Sequence, residues 1–202
     1  PAYGQAKLTS DEKQTVLALI QRRVVERIPA CYLTGNAWFA GLNFKSDERA
    51  LVPRSPIAEL IESGFEPWIG ELYVERALDL CTGSGCIAIA MAHYNPDWLV
   101  DGADISDAAL SLAAENKARL YADNCNFVKS NLFQGLQGKV YDLIVTNPPY
   151  VTNDETDALP KEYSYEPDLG LRAGDDGLDF ALKILRDAPE HLSENGLLVC
   201  EV

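Results

Sequence analysis

The sequence predicts an α/β protein, a mostly parallel sheet with helices on both faces, preceded by a helix and a short β-hairpin. Three observations predict it. From Ala77 onward, short apolar strands alternate with helical segments. A glycine-rich turn, Asp79-Leu80-Cys81-Thr82-Gly83-Ser84-Gly85, joins the first of these strands to the first helix. The apolar run Leu143-Ile144-Val145-Thr146 stops at two prolines in Asn147-Pro148-Pro149-Tyr150. In a sheet of this kind, the ligand site lies at the carboxyl ends of the strands.

The elements follow in order. Thr9-Ser10-Asp11-Glu12 has the spacing of a capping box and opens a helix to about Arg27, which stops before Pro29. Residues 36–52 alternate apolar and polar positions around Gly41, which predicts a short hairpin. Pro56–Ile69 reads as an amphipathic helix with proline at its start. Strands are expected at Ala77–Leu80, Leu99–Ala103, Cys125–Val128 and Tyr141–Thr146, with a fifth beginning at Gly196–Val202. Helices are expected at Gly85–Tyr94, from the Ser106-Asp107 cap to about Tyr121, and at Gly177–Leu192. The implied organisation is a first segment 1–30, a linker, hairpin and helix over 31–70, and a nucleotide-binding-type domain over 71–202. The chain opens without Met and its last strand is just beginning, so a trimmed chain with incomplete C-terminal strands is expected.

Composition narrows the function. The 202 residues are 47% hydrophobic and 24% charged, enough for one ordinary domain with a full core. No apolar stretch is long enough to span a bilayer, so no membrane partner is expected. Of the five cysteines, Cys31, Cys81, Cys86, Cys125 and Cys200, none forms a Cys-x-x-Cys pair, and His93 and His191 stand apart from them. A metal site is therefore not expected, and reduced, core-like thiols point to the cytoplasm. Both histidines read as helix C-terminal residues. The net charge of −14 argues against stable nucleic-acid binding and fits a basic protein partner.

The glycine-rich turn predicts a cofactor loop. Gly83 and Gly85 let the backbone approach a ligand, and Ala88 lets the helix pack near the strand. Asp104 ends the second strand, where a carboxylate can accept both hydroxyls of a ribose. Taken alone, this pattern also fits a nicotinamide cofactor. The preceding Asp79 and the polar loop Ser130-Asn131-Leu132-Phe133, placed where an adenine edge could be read, favour S-adenosylmethionine. So does the proline-terminated strand. Two prolines carry no N–H to continue a ladder, so nearby carbonyls are free to accept hydrogen bonds. The Asn147 side-chain oxygen can take one N–H of a planar NH2 group, a backbone carbonyl the other, and Tyr150 can cover the plane.

These motifs together resemble the class I S-adenosylmethionine-dependent methyltransferases, with their Rossmann-like fold, and within them the glutamine methyltransferases that modify a protein side-chain amide. Ile28–Gly35, Phe39–Phe44 and Asp47–Arg54 resemble that family's linker, hairpin and substrate-side loop. Glu162-Tyr163, Glu166-Pro167 and Gly174–Leu178 resemble the segment after its Asn-Pro-Pro-Tyr. Release-factor enzymes usually read Pro-Arg-Pro-Glu-Thr in the substrate-side loop. This chain reads Pro53-Arg54-Ser55-Pro56-Ile57, and Cys81 replaces the usual glycine. Both features resemble the branch that methylates a glutamine of large-subunit ribosomal protein L-three, a basic protein. Asn131 stands where the family usually has Asp, which predicts weaker cofactor affinity.

The resemblance implies S-adenosylmethionine bound by Asp79, Cys81, Thr82, Gly83, Gly85, Asp104, Ile105, Asn131 and Asn147. It implies a substrate site of Pro53, Arg54, Asn147, Pro148, Pro149 and Tyr150, with residues 1–30 the remnant of an N-terminal helical substrate-docking domain and 71–202 the S-adenosylmethionine-binding catalytic domain, incomplete at its C-terminus. Asn147, Pro148 and Tyr150 are the expected catalytic residues, with Asn147 and the Pro148 carbonyl orienting the amide nitrogen and favouring its developing positive charge. Arg54 is expected either to position the substrate loop or to pair with a carboxylate. Other readings stay open: a release factor as substrate, an exocyclic-amine methyltransferase acting on a flipped base, a cofactor-binding module without turnover, a nicotinamide-dependent oxidoreductase, and dimerisation through an open sheet edge.

Overall fold

The computed structural model describes residues 6–202, so residues 1–5 of the expected first segment lie outside the described residues. Helix α1 (Ser10–Val25) starts at the predicted capping box. The Glu12 N–H donates to Thr9 Oγ1 at 3.3 Å, and the Thr9 N–H donates to Glu12 Oε2 at 2.7 Å. None of its residues is buried. Its C-terminal end is tied to a distant segment, since Arg23 and Arg27 both reach Glu162 (3.0 and 2.7 Å) and Tyr165 O–H donates to the Glu26 carbonyl. The single-turn helix α2 (Ala30–Thr34) ends at Gly35. The hairpin forms as predicted, β1 (Asn36–Phe39) pairing antiparallel with β2 (Leu42–Lys45). Ala40 and Gly41 both take positive φ, the turn geometry that matches strand twist.

Helix α3 (Ile57–Glu62) is shorter than the expected Pro56–Ile69. Gly64 and Phe65 both take positive φ, which ends the helix and carries Phe65 into the core. Pro67 follows and cannot donate to a helical ladder.

The central sheet is wholly parallel. Strand β3 (Arg76–Leu80) leads into α4 (Cys86–Tyr94), β4 (Leu99–Asp104) into α5 (Asp107–Leu120), and β5 (Cys125–Lys129) follows. Strand β6 (Tyr141–Thr146) returns to the other side of β3, and after α6 (Asn153–Ala158) and α7 (Asp179–Asp187), β7 (Leu192–Cys200) pairs with it. The order β5-β4-β3-β6-β7 reverses between β3 and β6, the place where a sheet of this type opens a crevice. Helix α7 is shorter than the expected Gly177–Leu192. Gly177 has positive φ, and Ala188-Pro189-Glu190 tightens into a 3-10 turn capped by His191. Strand β7 begins earlier than the expected Gly196 and ends at Cys200, with an irregularity in its register. Both histidines sit at helix C-termini as read from sequence, His93 in the last turn of α4 and His191 stacked on Phe133.

Alternation along the strands divides the core. Ala77, Leu143 and Val145 face α4, the hairpin and α3, in one cluster with Phe39, Phe44, Ile61 and Phe65. Leu78, Leu80 and Ile144 face Phe133, Leu136 and Ile184. Residues 36–70 therefore share the core of the sheet rather than forming a separate one. Among the described residues, no helix is long and apolar enough to cross a membrane, and no group of three His, Cys, Asp or Glu could hold a metal ion.

Candidate active site

A cavity of about 600 Å³ opens at the carboxyl ends of β3, β4, β6 and β7. The loop after β3 forms its floor. Asp79 is fully buried beneath that loop and does not line the cavity. One of its oxygens accepts from the Thr82 hydroxyl and from the Ala88 N–H (3.0 Å), which pins the loop to the start of α4. The other, Oδ1, has no hydrogen-bond partner among the described residues. Burial pushes the Asp79 carboxyl up to about 7, against the pull of the Thr82 and Ala88 hydrogen bonds.

Cys81, Thr82 and Gly83 line the cavity. Cys81 takes φ +64, a left-handed conformation that glycine adopts at less cost. Gly83 presents its bare Cα with only Ala50 near, at 3.8 Å from where a Cβ would stand. Gly85 does not line the cavity. A Cβ there would lie 2.8 Å from Phe127 Cζ and 3.0 Å from Ala113 Cβ, so its missing side chain lets α4 pack against β5 and α5. The two glycines of the motif thus face different neighbours.

Asp104, Ile105 and Asn131 line the next wall. The Gly83 N–H donates to Asp104 Oδ2 (2.8 Å) and the Ser106 N–H to Oδ1 (2.9 Å). Two backbone donors therefore fix the carboxylate while each oxygen keeps a further lone pair. Burial raises its pKa against these hydrogen bonds. A floor with a bare Cα, an aimed carboxylate at the end of β4 and a polar loop after β5 fit an adenosine-bearing cofactor.

Asn147, Pro148, Pro149 and Tyr150 line the opposite wall. Thr146 O–H donates to the Leu80 carbonyl at 2.7 Å and holds the ends of β3 and β6 together. Among the described residues, no backbone N–H reaches the carbonyls of Asn147, Pro148 or Pro149. The tetrapeptide is backed by the segment that follows it. Val151 and Arg172 form a β-bridge, and Gly177 lies so close that a Cβ would come within 2.5 Å of the Tyr150 carbonyl oxygen.

Pro53 and Arg54 enter from the loop before α3. Arg54 is not a free cation. Its guanidinium forms two parallel hydrogen bonds with Glu166 (2.8 and 3.0 Å) and lies over the Tyr163 ring at 4.8 Å. Glu166 also accepts the Val52 N–H at 3.0 Å. The arginine and the loop that carries it are thereby fastened to the segment after Tyr150.

The structure brings together every predicted site residue except Asp79 and Gly85, which support the loop from outside the cavity. Sequence reading did not place Ser55, Phe180, Lys183 or Glu201 in the site, and all four line it. Glu201 could have been found, because it directly follows β7 just as Asp104 closes β4, at the strand end where such folds place functional groups.

Residues 68–161 match the family model described as the methyltransferase small domain. The chain is 79% identical over its whole length to the ribosomal protein uL3 glutamine methyltransferase of Xanthomonas campestris pv. campestris, of which it covers 66%. It is 50% identical over 99% of its length to the ribosomal protein uL3 glutamine methyltransferase of Bordetella pertussis, of which it covers 68%. The chain thus spans about two thirds of the length of the curated relatives it matches. Among solved structures, a methyltransferase from Pyrococcus furiosus shares the fold, with a TM-score of 0.54 at 21% identity over 95% of this chain and 78% of that one.

Proposed function

The chain belongs to the family of ribosomal protein uL3 glutamine methyltransferases, and from that membership we propose that it methylates the side-chain amide nitrogen of a glutamine in ribosomal protein uL3. The observation that carries the reading is the position of Asn147. Asn147 follows β6 at the β3/β6 crevice, in a tetrapeptide whose Asn147, Pro148 and Pro149 carbonyls receive no backbone N–H among the described residues, and it lines one cavity with Gly83 and Asp104.

S-adenosylmethionine, when bound, supplies an activated methyl on a sulfonium sulfur. Cys81, Thr82 and Gly83 would hold it on the loop, Asp104 at the ribose, and Ile105 with Asn131 at the adenine. The chain's own work is on the acceptor. An amide nitrogen is a poor nucleophile because its lone pair is delocalised into the carbonyl. The Asn147 side-chain oxygen and the Pro148 carbonyl accept its two N–H groups, turn the nitrogen toward the cofactor side and favour the positive charge that grows on it, until one of its protons passes to water and leaves the neutral methylamide. Tyr150 forms a wall of the acceptor site. The Arg54–Glu166 pair holds the Pro53 loop in place. The net charge of −14 suits a basic ribosomal protein, and five free cysteines among the described residues suit the reducing cytoplasm where such a substrate is made.

Methyl transfer from radiolabelled S-adenosylmethionine to purified unmethylated uL3, a release factor and duplex DNA tests the reading. Label on uL3 alone, mapped to a glutamine amide, is the expected result. Label on the release factor would keep the amide chemistry and overturn the substrate. Label on DNA would overturn the substrate class.

A further inference from the structure

The geometry points to Glu201 as the positioning residue of the acceptor wall, holding the Tyr150 ring in place against the loop that carries Ser55. The inference rests on the amide-methylation reading above and adds a residue to it.

Tyr150 needs a tether. It follows two prolines, lies outside the sheet ladder and is 41% exposed. The hydrogen bond of its phenol runs from O–H to Glu201 Oε1, at 3.3 Å. Burial, and after it the charge of Glu201, raise the phenol's pKa above its ordinary value, so it remains a donor at neutral pH.

Glu201 is itself held on two sides. Its backbone N–H donates to the Thr146 carbonyl at 3.0 Å, so it extends the β6–β7 ladder one residue past Cys200 and sits beside Asn147. Its second carboxylate oxygen accepts from the Ser55 hydroxyl. Ser55 is buried and its Oγ accepts the Ile57 N–H at 3.1 Å, which locks it to the start of α3. One carboxylate thus joins three parts of the cavity wall that are far apart in the chain: the Pro53–Ser55 loop, the tetrapeptide after β6 and the end of β7. A displaced ring leaves the acceptor amide free to turn away from Asn147, and misplacement of a reacting group by about 1 Å can cost about a hundredfold in rate.

The test compares Glu201→Ala, Glu201→Gln, Tyr150→Phe and the double variant Glu201→Ala/Tyr150→Phe. Readouts are cofactor affinity by calorimetry, and kcat and acceptor KM with uL3. Glu201→Ala and Tyr150→Phe are expected to leave cofactor affinity within about twofold and to lower kcat/KM for acceptor by about 10- to 100-fold. Glu201→Gln, whose amide oxygen still accepts the phenol, is expected to stay within about threefold of the parent, and the double variant to be no worse than the poorer single one. Wild-type-like turnover of Glu201→Ala would overturn the inference. So would equal losses in the Gln and Ala variants, which would assign the effect to charge, and so would additive losses in the double variant. If Glu201→Ala fails to fold, Ser55→Ala and Tyr150→Phe carry the same comparison. Should the parent label a release factor instead of uL3, the substrate reading fails while the ranking of variants is read on that acceptor.

Discussion

Arg54 and Glu166 are joined by two parallel hydrogen bonds, of 2.8 and 3.0 Å, across 112 residues of chain. The partnership is unequal. The Glu166 side chain is 2% exposed and the Arg54 side chain 43%. Removing the arginine strands a buried carboxylate, whereas removing the glutamate leaves a cation that water can reach. Arg54→Ala is expected to cost about 2–3 kcal/mol, below the range for a pair buried on both sides because solvent screens the guanidinium. Glu166→Ala is expected to cost less. Urea unfolding of the two variants checks the order, and equal losses would remove the argument from burial.

Asn147 is expected to act on the reaction and not on the fold. Its side chain stands at the end of β6, past the last ladder bond of that strand. Asn147→Ala should still bind S-adenosylmethionine and lose at least about two orders of magnitude in kcat, the scale of a lost transition-state contact. Calorimetry and single-turnover methyl transfer separate the two effects. Parent-like turnover would end the assignment.

Gly83 and Gly85 are expected to respond differently to alanine. Both take positive φ, which costs a side chain about 1–2 kcal/mol. Only Gly85 also faces Phe127 and Ala113 at distances a Cβ cannot occupy, for about 1–3 kcal/mol more in overpacking. Gly85→Ala should therefore lose more stability, and Gly83→Ala more cofactor affinity. Equal unfolding midpoints for the two variants would contradict this division of roles.

Asp79 predicts a pH dependence of stability. Burial raises its folded pKa to about 7 from an ordinary 3.8, so the folded chain binds this proton more tightly than the unfolded one. The stability linked to the group is fully present below about pH 4 and is lost as pH rises through about 7. Asn at this position does not ionise. Asp79→Asn should therefore gain stability relative to the parent between pH 5 and pH 8, as read from urea midpoints at the two values. A difference that does not change with pH would mean that burial fails to hold the proton.

The sequence by itself determined what is local. Alternation of apolar runs specified a parallel sheet, since strand and helix periods are written residue by residue. Gly83, Asp104 and Asn147 were legible because each lies at a strand end, where this architecture opens its crevice. Helix ends were harder to read. Gly64 with Phe65 and Ala188 with Pro189 cut α3 and α7 short, through backbone conformations that apolar periodicity does not record. The tertiary structure alone decided which distant groups meet. The return of β6 to the far side of β3 sets the ends of β3, β6 and β7 side by side. That return is what brings Glu201 to Tyr150 and Ser55. The packing of the segment after Tyr150 onto the Pro53 loop likewise brings Glu166 to Arg54. The packing of α4 against β5 and α5 separates Gly85, which lies against Phe127 and Ala113, from Gly83, which faces the cavity. Each of these is a contact between residues far apart in the chain, and only the folded topology assigns its partners.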